Sequence, residues 1–450
     1  MKKQTTLMLI MLAFFGMKVN AQSIAAGEGQ TLSLCADHTV RAWGLNFEGQ
    51  LGNGTTTLSH LPVVVNSLTG INAIAAGAKH TLAVKSDGTA WSWGKNSTGQ
   101  LGNGTKTNSD VPVQVTGLTG VVRVGGGGSH SVALKNDGTV WSWGNDGFDQ
   151  LGHASGGDTD VPGQVSGLTG IVAISSGYEH TLALKNDGTV WSWGTNFDGQ
   201  LGRSNSTTTG QVTGLTGVVA IAAGKNHSLA LKSDGTVWAW GRNDDGQIGN
   251  GNTTDVSSPV QVNALTGIIA IAGGFDHSLA VKNNGTVWAW GGNHSGQIGD
   301  GTSTDRTTPV QVSGLTDVTA IAGGDEYSVA LKSTGAVWAW GYNSGGRLGN
   351  GNSIDSDVPV QTVSLCTVLD IDEPVTLPPV NIYPNPAANV LNINANNTQR
   401  IGLVNIYDQL GRNVLEQNVA TKSGRVDVQH LPPGVYFLRT EHGRMKFIKE

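Results

Sequence analysis

The chain is poor in charge, in cysteine and in long apolar runs. Only 13% of its 450 residues are Asp, Glu, Lys or Arg. Ala/Leu/Glu/Lys stretches with helical period are absent, which argues against a helical bundle. The one extended apolar run, Leu7 to Met17, is too short to span a bilayer. Cys35 and Cys366 lie too far apart for a zinc motif. Gly-x-Ser-x-Gly, a phosphate loop and His-Glu-x-x-His are all missing. The formal net charge is −6, and residues 367–450 are balanced, so the acidic excess lies in the rest of the chain. An acidic main domain repels phosphate backbones, which speaks against a nucleic-acid partner.

Glycine is abundant, at 66 residues, and points to tight turns between short strands. At the N-terminus, Lys2 and Lys3 precede the apolar run, and Val19-Asn20-Ala21 offers a cleavage site. Residues 1–21 therefore read as a secretory signal peptide, with the mature chain starting at Gln22. No later segment resembles a transmembrane span.

A Trp-Gly pair recurs at Trp43, Trp93, Trp143, Trp193, Trp240, Trp290 and Trp340, at intervals of 50 residues and once of 47. One unit reads Ala-Ile-Ala-Ala-Gly-Lys-Asn-His-Ser-Leu-Ala-Leu-Lys-Ser-Asp-Gly-Thr-Val-Trp-Ala-Trp-Gly from Ala220. Asn-x-x-Gly-Gln-Ile-Gly-Asn-Gly, a Pro-Val-Gln-Val strand and a Leu-Thr-Gly turn follow. Asp-Gly between two alternating runs is a hairpin signal, because the turn needs positive φ. Within Thr-Val-Trp-Ser-Trp-Gly the two Trp sit two apart and face one side. One sheet cannot cover both rings, so each sheet packs on its neighbour. Seven such units predict an all-β, seven-bladed β-propeller over residues 22–366. In this register the last unit stops at Cys366, where other units continue with a Val/Ile strand. Ser23–Gly27 is therefore expected to pair with the strand of Val360–Val363 and complete the last blade.

The motifs Gly-x-x-His-Ser/Thr-Leu-Ala, Asp-Gly-Thr-Val-Trp-Ser-Trp-Gly and Asn-x-x-Gly-Gln-Leu-Gly resemble the repeats of the regulator of chromosome condensation family. The resemblance covers residues 23–366. It departs locally: Gln30 and Tyr327 replace the repeat His, Asp149 replaces a Gly, and the fourth unit is short. It implies a propeller that acts largely by presenting loop faces to partners, as one secreted bacterial relative does in inhibiting β-lactamases. The eukaryotic family activity, nucleotide exchange on a small GTPase, is a weaker expectation for an exported protein.

Residues 367–380 read as an extended linker with three Pro. Residues 381–450 show about seven short apolar alternations, among them Val390–Ile393, Gly402–Tyr407, Val426–Val428 and Val435–Leu438, and predict a small β-sandwich. Asn381-Ile-Tyr-Pro-Asn-Pro-Ala, Asp408-Gln-Leu-Gly-Arg, Leu431-Pro-Pro-Gly-Val-Tyr-Phe-Leu and terminal Lys446-Phe-Ile-Lys-Glu resemble the type A sorting domain of the type IX secretion system. Tyr383, Pro384, Asn385, Pro386, Gly434, Tyr436, Lys446 and Lys449 carry that resemblance. It implies a Gram-negative host, recognition by secretion machinery, and release from the cell or attachment to the outer-membrane surface.

No catalytic constellation, metal site or cofactor is expected. His80, His130, His180, His227 and His277 stand one per blade, too far apart for a shared metal shell. A side chain bonding a turn's backbone explains them better. Asp300-Gly-Thr-Ser-Thr-Asp305 and Asn243-Asp-Asp-Gly are only fragments of calcium loops. Phe47, Phe148, Phe197 and Tyr342 sit in the loop after Trp-Gly, and Tyr178, Phe275 and Tyr327 in the Gly-x-x-His loop. Strand direction puts both loops at one end of each blade. Tyr327 reads as a packing residue; the other six are candidate anchors for an unidentified protein or surface ligand. The leading expectation is a secreted binding module without catalysis, and a carbohydrate-active enzyme is the alternative. Cys35 stands where the other units carry Lys, and Cys366 follows the last Pro-Val strand. A Cys35–Cys366 disulfide is expected to lock the seam of the ring, and an oxidising periplasm permits it.

Overall fold

The computed structural model describes residues 21–154, 156–203, 206–363, 366, 380–395, 400–408, 412–440 and 443–450. The expected signal peptide, apart from Ala21, and residues 367–379 of the expected linker lie outside them. The chain divides into two compact units, residues 1–366 and 367–450.

The first unit holds seven four-stranded antiparallel sheets, each in chain order. In blade 2 these are Ile71–Ala76, His80–Lys85, Ala90–Gly94 and Ser109–Gln114. The Asp-Gly hairpin forms as its sequence predicts. The Asp87 carboxylate accepts from Thr89 N at 2.9 Å while Gly88 takes φ 79°. The second strand is almost wholly buried, as expected for a strand covered on both faces. Six blades carry a Pro in the outermost strand, where a missing N–H is tolerated and further strand addition is discouraged. In blade 4 that strand shrinks to Gly210–Gln211.

The blades join through one repeated set of hydrogen bonds. The backbone carbonyl of Gln100, in the Gly-Gln-Leu-Gly turn of blade 2, accepts from Trp143 Nε1 at 2.9 Å and Ser131 Oγ at 2.8 Å, both in blade 3. Gly102 next to it takes φ +66°, and a Cβ there would lie 2.6 Å from Trp143 Nε1. The motif Gly and the motif Trp thus read each other across the junction. All seven such Trp are fully buried, and each outer Trp packs beside its partner in the core between blades, as with Trp91 beside Trp93.

Ring closure differs from expectation. Ala21–Ala26 pairs with Gln30–Cys35, not with the strand of Val360–Val363, and blade 7 is complete without it. The Val/Ile strand opens its own unit. The hairpin through Gly27-Glu28-Gly29 is local, so its loop-closure cost is far below that of pairing with a strand at the other end of the ring. The seam between blades 7 and 1 is instead closed face to face. Arg347 stands in the Gln position, and its carbonyl accepts from Trp43 Nε1 and Thr31 Oγ1, both at 2.9 Å. Tyr327 OH donates to Gln30 O at 2.7 Å. Cys35 and Cys366 form the expected disulfide, within a core that includes Trp43, Tyr327, Val329 and Leu348.

The second unit is a small β-sandwich. Val380–Tyr383, Val390–Ala395 and Ser423–Asp427 form one sheet, and Asn413–Val419, Gly402–Tyr407, Gly434–Thr440 and Gly443–Lys449 the other. Leu391, Ile393, Val404, Ile406, Tyr436 and Phe447 fill the space between them.

Candidate functional site

The two loops of each blade lie side by side, as strand direction predicts. Lys95 N bonds Lys79 O at 2.9 Å in blade 2, and Asn145 N bonds Ser129 O at 2.9 Å in blade 3. The loop after Trp-Gly is folded by its own motif. Asn96 Oδ1 accepts from Leu101 N at 2.9 Å while its amide reaches Thr105 O and Thr107 O. Side chains at the two positions between that Asn and Gly are left to vary without disturbing the loop.

The repeat histidines belong to the frame. His80 Nε2 meets Ser131 Oγ at 2.9 Å, and His130, His180, His227 and His277 each meet the corresponding hydroxyl of the next blade at 2.8–3.1 Å. The partner is the neighbouring blade's hydroxyl, not the backbone of a turn. Ser131, Ser228, Ser278 and Ser328 each give their hydroxyl proton to a Gln carbonyl, so they accept from Nε2–H of His80, His180, His227 and His277, whose Nδ1 carries no proton. Nδ1 is buried without a partner in all five rings. Burial lowers His80, His180 and His227 to about 3 and His130 and His277 to about 4, so all stay neutral. The Gly-x-x-His spacing has a steric reason too: a Cβ on Gly77 would lie 2.3 Å from His80 Cε1.

The six candidate anchors separate into distinct places. Phe148 and Phe197 are 40% and 80% exposed, yet meet edge to face at 5.7 Å across blades 3 and 4. Phe47 is 67% exposed and stands apart on blade 1. Tyr342 lies under the Arg347 guanidinium at 4.6 Å. Tyr178 and Phe275 meet edge to face at 5.7 Å, with Lys225 Nζ 5.8 and 5.1 Å from their ring centres. Tyr327 is fully buried in the seam.

Tyr178, Lys225 and Phe275 belong to a ring that sequence reasoning missed. Each blade contributes the residue after its loop Gly to one circle: Glu28, Ala78, Gly128, Tyr178, Lys225 and Phe275 line the mouth of the axial channel, and Asp325 stands beside Glu28 and Lys225 at its edge. Main-chain bonds tie these loops into a belt. Glu28 N reaches Ala78 O, Ala78 N Gly127 O, Gly128 N Tyr178 O, Tyr178 N Lys225 O, Lys225 N Gly274 O, Phe275 N Gly324 O, and Asp325 N closes the circle on Gly27 O at 3.3 Å. A cavity of about 100 Å³ lies inside. Burial pushes the Asp325 carboxyl up to about 6, with Glu326 and Glu28 adding to it and Arg347 and Lys225 opposing. The sequence signal was a position that varies freely inside an otherwise fixed frame.

The calcium-loop fragments have carboxylates already engaged by their own neighbours. The Asp300 carboxylate is taken by Arg306 at 2.5 Å and by Thr302. Asp245, His294 and Asp305 converge within 4.8 Å across blades 5 and 6, but Asp305 Oδ1 already accepts from Asn293 N. Three ligands fall short of a calcium shell.

In the second unit, Asn385 joins the start of the domain to its last strand. Its Oδ1 accepts from Ile448 N at 2.9 Å and its amide donates to Lys446 O. Tyr383, Pro384, Pro386 and Lys446 are exposed around this junction. Gly434 pairs with Lys449, which is buried, and Tyr436 stacks on Phe447 at 5.6 Å and donates to Pro432 O.

The RCC1-like domain matches residues 119–373, and repeats of the regulator of chromosome condensation match 37–84, 87–134 and 71–100. A secretion system C-terminal sorting domain matches 381–450. No curated protein matches the chain significantly. Prp20p from Saccharomyces cerevisiae is 24% identical, covering 78% of this chain and 90% of its own, with a TM-score of 0.65. Human WBSCR16 is 23% identical, covering 72% and 94%, with a TM-score of 0.66. Likeness at that identity speaks to fold alone. The chain belongs to the RCC1-like domain family, its propeller followed by a secretion-system sorting domain.

Proposed function

We propose that this propeller is a secreted binding module that captures a partner protein on its loop face, with residues 1–21 removed as a signal peptide. The reading rests on Phe148 and Phe197, two Phe rings held in contact yet open to solvent on a rigid scaffold. They sit where the repeat is broken. Asp149 takes φ 56° in a position that is Gly elsewhere, and the outer strand of blade 4 is cut short. Aromatic side chains that a partner desolvates on binding are common hot spots. Phe47, Tyr178, Phe275 and Tyr342 extend the face. Type IX export through residues 381–450, with Tyr383, Asn385 and Lys446 at the surface the machinery meets, delivers the module to the outer-membrane surface or the medium of a Gram-negative cell.

A carbohydrate-active enzyme is the second reading, since Glu28 and Asp325 stand together at the mouth. The cavity of about 100 Å³ argues against it, because ligand clefts run to several hundred Å³. Prp20p is described as binding Gsp1p and histones. An exported chain at this identity gives little support for the same partners here. The test is capture of surface or secreted proteins by the wild-type propeller and by F148A/F197A. A partner held equally well by both refutes the face.

A further inference from the structure

We propose that the mouth of the axial channel is the seat for one cationic side chain, a lysine or arginine, projecting from the partner protein. The inference rests on the binding-module reading and names the chemistry of that partner.

Asp325 supplies the motive. Its carboxylate is half-buried, and among the described residues it has neither a hydrogen-bond donor nor an ion-pair partner. A partly desolvated carboxylate in that state is costly unless a cation meets it. The cations nearby are engaged elsewhere. Lys225 lies against the rings of Tyr178 and Phe275. Arg347 covers Tyr342 and donates to Ser344 O and, at 3.4 Å, to Glu28 O. Lys79 pairs with Glu28 at 3.7 Å. Glu28 and Glu326 add negative charge beside Asp325, so this sector of the mouth attracts a cation.

Size and donors narrow the class. A cavity of about 100 Å³ is below the range of metabolite pockets but admits the end of a side chain. A bare metal ion wants six or more oxygens. The belt carbonyls that would supply them already accept hydrogen bonds from the preceding blade. An alkylammonium or guanidinium needs only the carboxylates, and a protein loop brings one to the centre of the loop face. The charges facing Asp325 are Glu326, Glu28, Arg347 and Lys225. Occupancy should therefore rise with pH as Asp325 ionises.

The test uses small probes on the isotopically labelled full chain, followed by amide resonances. n-Butylammonium and methylguanidinium are expected to shift Gly27, Glu28 and Asp325 with millimolar midpoints, more strongly at pH 7.5 than at pH 5. Asp325→Asn should weaken both at least tenfold, and Glu28→Gln serves if that variant does not fold. No shift below about 50 mM overturns the seat, as does equal binding by the variants or by butyrate. Calcium moving the same amides at lower concentration overturns it in favour of a metal site. Those failures leave the Phe148–Phe197 face standing, whereas a partner indifferent to F148A/F197A removes the face without touching probe binding.

Discussion

His80, His130, His180, His227 and His277 show how one residue type links the blades. Each ring bonds across a junction from full burial, and burial holds its folded pKa well below the unfolded value of 6.5. The unfolded chain therefore binds protons more readily than the folded one below that pH. The contribution is intact above about pH 6.5 and is lost as pH falls toward 3–4, by about 1.4 kcal/mol per pH unit for each ring. Urea midpoints measured between pH 7 and pH 4.5 should fall steeply; a flat profile would show that the rings tolerate charge. At the seam the same position holds Gln30 and Tyr327. Tyr327→Phe deletes one of two donors to Gln30 O, which keeps Gly27 N, at a cost of about 0.5–1.5 kcal/mol in chemical denaturation.

Among elements, the Trp-bearing strand and the loop that follows it divide the labour. The strand supplies a buried Trp to every junction, and Trp143→Ala should destabilise the propeller by about 3–5 kcal/mol. The loop is free to vary because Asn96-type and Gln100-type side chains fix its backbone from within. Replacing both Phe148 and Phe197 by Ala should cost no more than about 1 kcal/mol while weakening partner binding. A calorimetric melting point that drops by many degrees would mark them as packing residues. Blade 1 shows the converse case. In the other six blades a Lys lies over the outer Trp ring, as Lys282 does over Trp288 at 4.2 Å. Blade 1 has Cys35 and Arg41 in those two positions, and the cation–ring pair gives way to the disulfide.

At the scale of the molecule, the disulfide spans 331 residues and ties the first blade to the end of the last. The chain-entropy model puts its contribution at about 5–6 kcal/mol as an upper bound. Denatured, unreduced protein should titrate no free thiol, and reduction should lower the melting point markedly. The two units have separate cores. Deleting residues 381–450 should leave a folded propeller held in the periplasm, read out by circular dichroism of the purified fragment and by its absence from the medium. Export of the truncated chain would sink the sorting role.

Local chemistry made much of this legible beforehand. Asp-Gly hairpins, paired Trp and Gly-Gln-Leu-Gly turns act over a few residues, so seven blades, the sandwich and the exposure of Phe47, Phe148 and Phe197 followed from sequence. The Lys register at Cys35 even pointed to the disulfide. Ring closure did not follow, because a repeat can be cut into units in more than one frame. Only the pairing of Ala21–Ala26 with Gln30–Cys35 chooses among them. Nor did the bond from each His to the next blade's hydroxyl, or the gathering of Glu28, Tyr178, Lys225, Phe275 and Asp325 at one mouth. Those residues are about fifty or more apart in the chain, and only the circular belt of backbone hydrogen bonds makes them neighbours.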